Sequence, residues 1–135
     1  MAAERHAPDD PREWLNRARS NLARTKLGND NPGVYLEDLC FDAQQAAEKA
    51  IKGVLLHRNV SFPYIHDLAE LLTLVERSGG HVPQAVKEAV QLTPFAAEAR
   101  YPGPQEPVSR EEYEKAVMIA ETVVRWAQEQ IGGER

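Results

Sequence analysis

Hydrophobic residues recur at three- and four-residue spacings from Val34 to Arg58, a stretch with no proline and a single glycine, Gly53. This spacing predicts an amphipathic helix with a wide apolar face. At about 1.5 Å per residue the helix would be roughly 37 Å long, enough to span a small domain. The small residues on its face, which let neighbouring helices approach closely, are Ala43, Ala46, Ala47 and Ala50. We expect this stretch to be the central helix of a bundle.

The helix predicted before it carries an excess of positive charge. Asp10 is placed to cap this helix, Pro11 fits its first position, and Glu13 is spaced to complete a capping box. Turn-forming residues 28–33 end it. We keep two interpretations of its basic positions: a solvated helix face, or a surface that faces phosphate in an otherwise acidic chain of net charge −5. These positions are Arg12, Arg17, Arg19, Arg24 and Lys26.

Three further helical segments follow the central one. The first begins near His66 and ends at residues 78–80, and the second is interrupted by Pro94. A capping box of Ser109 and Glu112 opens the last. No segment alternates with a period of two, so strands are not expected, and short turns between long helices imply antiparallel neighbours. The sequence predicts an all-α, up-and-down antiparallel helical bundle of four long helices plus a short one.

Length and composition agree with a single globular domain. The chain has 135 residues, of which 42% are hydrophobic and 27% charged, enough to bury a core. We expect residues 1–9 to be a flexible N-terminus and residues 10–135 to be one helical domain. No apolar run approaches the ~20 residues needed to cross a membrane, and no signal-peptide core is present. We therefore expect a cytoplasmic protein that does not interact with membranes.

Few residues have the arrangement that catalysis or metal binding requires. Cys40 is the only cysteine, which excludes an intrachain disulfide and a cysteine-cluster metal site, and its apolar position indicates a buried thiol. The sequence contains no glycine-rich phosphate loop, nucleophile elbow or His-Glu-x-x-His pair. No histidine has a carboxylate at the spacing of di-iron helix bundles. We expect neither a metal nor another cofactor.

His66 is the strongest catalytic candidate because it follows an aromatic connector, residues 59–65, and precedes Asp67. In one interpretation the imidazole caps the next helix or packs beside Tyr64. In the other it is a general acid and base near neutral pH, and Arg58 supplies a cation that stabilises phosphate charge. Arg58 and His66 would then cleave RNA without metal, with the ribose 2′-hydroxyl as the internal nucleophile.

Polar residues of the central helix form a second candidate site. They must be paired or face a groove because unpaired burial is costly, and either other helices, a second subunit or a ligand can satisfy them. Arg100 and Tyr101 are placed to stack on or bridge to a ligand, while Arg100 equally fits a cap for the last helical carbonyls. The residues that we assign to this ligand-binding groove are Gln45, Lys49, Lys52, Arg100 and Tyr101.

Four blocks of sequence, taken in order, resemble a HEPN-domain protein of the small stand-alone prokaryotic type, over about residues 11–131. They are AQQAAEKAIKGVLL at 43–56, the aromatic connector, His66-Asp67-Leu68 with Leu71, and Ala99-Arg100-Tyr101-Pro102. The resemblance implies a five-helix bundle that usually dimerises. It also implies a role with nucleotides or RNA, often beside a separately encoded minimal nucleotidyltransferase in a toxin–antitoxin arrangement.

The chain departs from the catalytic pattern of the family it resembles. Catalytic HEPN ribonucleases carry an arginine, four to six intervening residues, and a histidine. Here seven residues separate Arg58 from His66, and three separate Arg77 from His81. We therefore expect a nucleotide- or RNA-associated binding module that partners a minimal nucleotidyltransferase. The alternatives are a metal-independent endoribonuclease toxin and a structural dimer or adaptor without a ligand.

A homodimer is also expected from the residues themselves. A thin bundle with this many apolar helix faces, and with Trp14 and Trp126 near the helix seams, commonly leaves an apolar patch that a second subunit covers.

Overall fold

The computed structural model describes residues 4–27, 30–96 and 107–132, and the regular structure in these ranges is entirely helical. Because no strand occurs there, the prediction of an all-α fold is confirmed. A 3-10 segment, Glu88–Phe95, follows α4 directly. The helices are α1 (Pro11–Leu27), α2 (Leu36–His57), α3 (Leu68–Arg77), α4 (Gln84–Lys87) and α5 (Arg110–Gly132).

The central position of α2 is confirmed. Its ends lie within two residues of the predicted ones, and it packs against α1, α3, α5 and the 3-10 segment. Gly53 lies where α1, α2 and α5 approach closely, because a Cβ atom there would be 3.2 Å from Ile131 Cδ1 and 3.3 Å from Trp14 Cβ. The fully buried apolar residues of α2 are Cys40, Ala43, Ala46, Ala47, Ala50, Ile51, Val54 and Leu55.

The directions of the long helices follow from the contacts at their ends. The Thr25 hydroxyl, near the end of α1, donates to the carbonyl of Leu39 near the start of α2, at 2.6 Å. Trp14, near the start of α1, lies beside Gly53 near the end of α2, so the two helices are antiparallel. Ile131 of α5 also lies beside Gly53, which makes α5 run in the direction of α2.

The connector between α2 and α3 changes this up-and-down order locally. α3 begins beside the middle of α2, where His66 is hydrogen-bonded to Glu48. It ends beside the C-terminus of α2, where Ser78 accepts a hydrogen bond from Arg58. The connector therefore runs back along α2, and α3 then runs parallel to α2. A tight turn could not do this, because it would leave α3 antiparallel to α2.

The fourth of the predicted helical segments, the one that Pro94 interrupts, is the short helix of the structure. α4 has four residues and continues as the 3-10 segment up to Phe95. Pro94 lies inside that segment, and proline has no N–H to donate and clashes with the preceding turn of an α-helix. Ala89 and Leu92 of this segment are buried, whereas Val90 is exposed.

The two predicted capping boxes have different outcomes. At α5, Ser109 N–H donates to Glu112 Oε1 at 2.9 Å and Glu112 N–H donates to Ser109 Oγ at 3.0 Å, so that box is confirmed. At α1, Asp10 Oδ1 accepts the N–H of Arg12 at 2.8 Å, but the Glu13 carboxylate does not reach back to Asp10. The box predicted for Asp10 and Glu13 is therefore wrong.

The cause is the segment that precedes α1. Glu13 is buried and accepts the N–H of His6 at 2.9 Å instead. The indole of Trp14 donates to the carbonyl of Pro8, and the amide of Asn16 donates to the carbonyl of Glu4, both at 2.8 Å. These bonds place the described part of the N-terminal segment along α1, and its flexibility stays a prediction.

The tryptophans do not form the exposed apolar patch that the sequence suggested. Trp126 is buried, and Trp14 is half-buried with the ring of Phe62 in a T-shaped contact at 6.0 Å. Large exposed apolar side chains occur elsewhere, at the end of the bundle where α1 ends and α2 begins. α5 passes the same end, because Glu121 of α5 pairs with Lys26 of α1. The exposed side chains are Leu27, Tyr35 and Met118.

Candidate functional site

A buried ion pair occupies the middle of α2. Lys52 Nζ lies 2.8 Å from Glu48 Oε2, and the two side chains are only 3% and 6% exposed. Gln44 Nε2 donates to Glu48 Oε1 at 2.9 Å, since four-residue spacings place all three side chains on one helix face. Burial by itself raises the pKa of Glu48, but hydrogen bonds from Lys52, Gln44 and His66 outweigh it and lower that pKa below its usual value. Glu48 is therefore an ionised carboxylate inside the fold.

His66 is fixed by this carboxylate. Its Nδ1 atom lies 2.9 Å from Glu48 Oε1 and 3.1 Å from Glu48 Oε2, and its side chain is 37% exposed. Because a carboxylate accepts and does not donate, Nδ1 carries a proton in this contact. Nε2 is then the ring atom available to solvent or to a ligand, as in other carboxylate–histidine pairs.

Aromatic rings of the connector cover the ion pair. Lys52 Nζ lies 5.6 Å from the ring centroid of Phe62 and 5.5 Å from that of Tyr64, within the range of cation–π contacts. The Tyr64 and His66 rings are 5.8 Å apart at an interplanar angle of 63°. Tyr64 is nevertheless 91% exposed, so most of its ring faces water.

A second polar network joins α2 to α1. Asn21 Nδ2 donates to Asp42 Oδ1 at 3.1 Å, and Lys49 Nζ donates to Asn21 Oδ1 at 2.8 Å. Arg24 also pairs with Asp42 Oδ1, at 3.2 Å. Burial lowers the pKa of Lys49, and the carboxylate of Glu48 opposes this shift only in part.

Gln45 extends the Glu48 network to the half-buried surface of α2. Its Nε2 atom lies 2.8 Å from Gln44 Oε1 and 3.5 Å from Glu48 Oε1. The α1 side chains lie along one side of this surface, and the connector lies along the other. We call the set the polar strip of α2, and it consists of Asp42, Gln44, Gln45, Glu48, Lys49 and Lys52.

The structure does not bring Arg58 and His66 into one contact. Arg58 Nε donates to Ser78 Oγ at 2.6 Å, and its guanidinium donates to the carbonyl of Ser78 at 2.9 Å. His66 is held by Glu48, and Glu48 precedes Arg58 by ten residues, which is roughly 15 Å along the axis of α2. The cation that binds the same Glu48 carboxylate as His66 is Lys52, not Arg58.

Three of the five predicted groove residues lie together on the polar strip. Gln45 and Lys49 are half-buried at its surface, while Lys52 is buried beneath the connector. Arg100 and Tyr101 lie outside the described residues. The basic residues of α1 are exposed, and several of them pair with carboxylates, as Arg17 does with Glu13 at 3.0 Å, so both interpretations of this face stay open.

Asn21 and Asp42 are site residues that the sequence analysis did not assign. Asp42 lies directly before the alanine face of α2, and a carboxylate at an inward position indicates that a partner must neutralise it. Nothing in the local pattern identifies that partner as Asn21, which is 21 residues away. Glu48 and Tyr64 lie in two segments that the sequence indicated, the central helix and the aromatic connector, but their contact with one lysine depends on the path of the connector.

Metal and membrane features are not found in the described ranges. No group of three or more metal-ligating side chains occurs among residues 4–27, 30–96 and 107–132. None of the helices in the same ranges combines the length and apolarity that crossing a bilayer requires.

Comparisons with known proteins agree with this fold. The family model of the HEPN domain matches residues 11–131. The crystal structure of ST0689, an archaeal HEPN homologue, is similar with a TM-score of 0.71 at 23% identity, over 90% of this chain and 98% of that one. No curated protein matches the chain. Because the domain model covers nearly the whole sequence, this protein belongs to the HEPN-domain family.

Proposed function

We propose that this protein is a binding module for a nucleotide or RNA, and that the ligand lies over the polar strip and the connector. The observation that carries this proposal is the pair of Tyr64 and His66. An almost fully exposed aromatic ring stands beside an imidazole that a buried carboxylate holds in one orientation. Exposed aromatic rings beside cations are the usual means of binding unpaired bases.

The surrounding side chains suit the two parts of such a ligand. Stacking of a base on an aromatic ring contributes about 1–3 kcal/mol, and Tyr64 offers that ring. Lys49, Arg17 and Arg24 lie along the α1 side of the strip and carry positive charge that phosphates attract. His66, beside the Tyr64 ring, adds a hydrogen-bonding atom, Nε2.

The first test is calorimetric titration with ATP, GTP and a short single-stranded RNA. We expect binding by the wild-type protein and about tenfold weaker binding by Tyr64→Ala, because the stacking platform is lost. Tyr35→Ala is the matched control, since Tyr35 is also exposed but lies at the start of α2. Equal loss in both variants, or no binding of any ligand by the wild-type protein, would contradict the proposal.

The second test concerns the cations. Arg17→Gln with Arg24→Gln is expected to weaken binding and to reduce its dependence on salt, since fewer counterions are released. Arg125→Gln on α5 is the control, because Arg125 is exposed on a different helix. An unchanged salt dependence would show that α1 does not face the ligand.

A second function, metal-independent endoribonuclease activity, is favoured by one observation. Glu48 orients His66 as a carboxylate orients a catalytic histidine, which leaves Nε2 to accept or donate a proton. In this function Arg58 has to release Ser78 before it can reach a phosphate. Cleavage of RNA in the presence of a chelator, lost in His66→Ala and retained in the exposed control His57→Ala, would support it. RNA that stays intact with the wild-type protein would exclude it.

We further propose a homodimer that partners a minimal nucleotidyltransferase in a toxin–antitoxin pair. The support is membership of the HEPN family and the exposed apolar residues Leu27 and Met118. Sedimentation is expected to give a dimer at micromolar concentration, and Leu27→Glu with Met118→Glu is expected to shift it to the monomer. A wild-type monomer would contradict the dimer.

The partner is tested by co-purification with a nucleotidyltransferase encoded next to this gene. Failure to co-purify would contradict the partnership but not ligand binding. A stable dimer that binds neither ligand nor enzyme would instead identify a structural adaptor.

A further inference from the structure

We infer that Lys52 is a positioning residue, which holds the connector in the conformation that places Tyr64 and His66 side by side. The inference rests on the proposed function, because that function uses these two side chains as the ligand site. Lys52 itself is buried beneath them and does not touch the ligand.

The backbone of the connector contributes little to keeping its shape. Residues 60–67 contain no helix or strand. Within residues 61–66, the backbone hydrogen bond that the structure describes is donated by Ile65 N–H to the carbonyl of Pro63, at 2.9 Å. A segment with so few backbone bonds takes its conformation from side-chain contacts.

Lys52 makes contacts with both aromatic residues of this segment. Its ammonium lies 5.6 Å from the centroid of Phe62 and 5.5 Å from that of Tyr64. Because Lys52 is 3% exposed and Tyr64 is 91% exposed, the ammonium lies on the protein side of the Tyr64 ring. The opposite face of that ring is left to solvent, where a flat heteroaromatic ring can stack.

Glu48 fixes the lysine and the histidine relative to each other. One oxygen of its carboxylate accepts from Lys52 at 2.8 Å, and both oxygens lie within 3.1 Å of His66 Nδ1. The tyrosine is thus held through the lysine, and the histidine directly, by the same side chain. A change at Lys52 therefore alters the distance between the two proposed ligand contacts without removing either of them.

The competing explanation is that Lys52 serves only to neutralise Glu48. Lys52→Met alone does not separate the two explanations, because it leaves a buried carboxylate without its ammonium and can unfold the chain. The double variant Glu48→Gln with Lys52→Met removes both charges in nearly the same volume, and such neutral replacements usually keep the fold. Because Glu48 also holds His66, the double variant is compared with Glu48→Gln alone. If neutralisation is the whole role, the two variants have the same connector.

The experiment is amide hydrogen exchange of the full chain, measured by mass spectrometry on peptides from residues 59–66 and from α2 and α5. In the double variant we expect exchange in the connector about tenfold faster than in wild type, with unchanged exchange in α2 and α5. Phe62→Leu, which keeps Lys52 and removes the Phe62 ring from both Lys52 and Trp14, is expected to give an increase of the same kind. Lys49→Met, a half-buried lysine one turn earlier, is the control and is expected to leave the connector unchanged.

Ligand binding gives the second readout. The double variant is expected to bind RNA about tenfold more weakly than the wild-type protein, as Tyr64→Ala does. Glu48→Gln alone leaves the ammonium buried without its carboxylate, so it is compared only where exchange in α2 and α5 stays at the wild-type rate. Under that condition it keeps the cation under the rings and is expected to retain more connector protection than the double variant. Equal connector exchange in the two variants overturns the inference. Connector exchange equal to wild type in the double variant, or equal acceleration in connector and core, overturns the inference. If wild-type protein binds no nucleotide or RNA, the proposed function fails, while the exchange result still decides whether Lys52 positions the connector.

Discussion

The phenol of Tyr113 donates a hydrogen bond to the main-chain carbonyl of Thr25, 2.7 Å away and 88 residues earlier in the chain. Thr25 lies in the last turn of α1, where carbonyl groups have no partner within their own helix. The same residue donates its hydroxyl to the carbonyl of Leu39. One buried threonine therefore connects α1, α2 and α5.

Removal of this phenol is expected to destabilise the bundle. Tyr113→Phe keeps the ring but leaves the Thr25 carbonyl buried without a donor, which costs about 1–3 kcal/mol. Urea unfolding should show a lower midpoint with an unchanged slope. Tyr35→Phe, at an exposed position, is the control and should have no effect. Equal stability of both variants would mean that water replaces the phenol.

The capping box of α5 is expected to contribute to stability in a position-specific way. Ser109→Ala removes the acceptor for the Glu112 N–H and should lower the free energy of unfolding by about 1 kcal/mol. Glu112→Ala removes the reciprocal bond to the Ser109 N–H. Glu111→Ala controls for charge in the first turn, because Glu111 has the same charge at the neighbouring position. If Glu111→Ala lowers the free energy of unfolding as much as Glu112→Ala does, the effect of Glu112 comes from its charge and not from its hydrogen bond to Ser109.

The buried Glu48 is expected to make the fold sensitive to acid. Its pKa in the folded chain is lower than 4.5, the value expected when it is unfolded, so the ionised carboxylate stabilises the fold above pH 4.5. That contribution is lost as the pH falls through the lower folded-state pKa. The free energy of unfolding should therefore fall more steeply below pH 4.5 in wild type than in Glu48→Gln with Lys52→Met. Parallel curves would show that Glu48 does not titrate differently in the two states.

Cys40 is expected to be unreactive in the folded protein. It is fully buried, and burial raises the pKa of its thiol to about 12, so the reactive thiolate is scarce at neutral pH. An aromatic disulfide reagent should label the native chain at least about 100-fold more slowly than the chain unfolded in urea. Fast labelling of the native protein would mean that α2 opens readily near its start.

Much of the fold could be predicted because its information is local. The spacing of alanine and leucine in α2 and the Ser109–Glu112 pair are read within a few residues, and the structure confirms both. The capping box at Asp10 was wrong because a competing donor, the N–H of His6, comes from a segment whose path no periodicity describes.

The candidate site could be predicted only in part. The sequence indicated His66 as a functional residue, and it is half-exposed beside an exposed tyrosine. It did not indicate Glu48 as the partner, because the 17 residues between them include an irregular connector. Arg58 is close to His66 along the sequence, but the connector carries His66 back along α2 and away from it.

Arg58, which the sequence assigned as the phosphate-binding cation, is an obvious residue to replace when an inactive variant is wanted as a ribonuclease control. Here its guanidinium fastens the end of α3 to the end of α2 through the hydroxyl and carbonyl of Ser78. A loss of activity after substitution of Arg58 would therefore have two explanations. Either the ends of α2 and α3 have separated, or the cation that binds phosphate is missing. For cell-based work, substitution of His66 gives the better inactive reference protein. Its imidazole lies at the surface, and its removal leaves the Arg58–Ser78 hydrogen bonds intact.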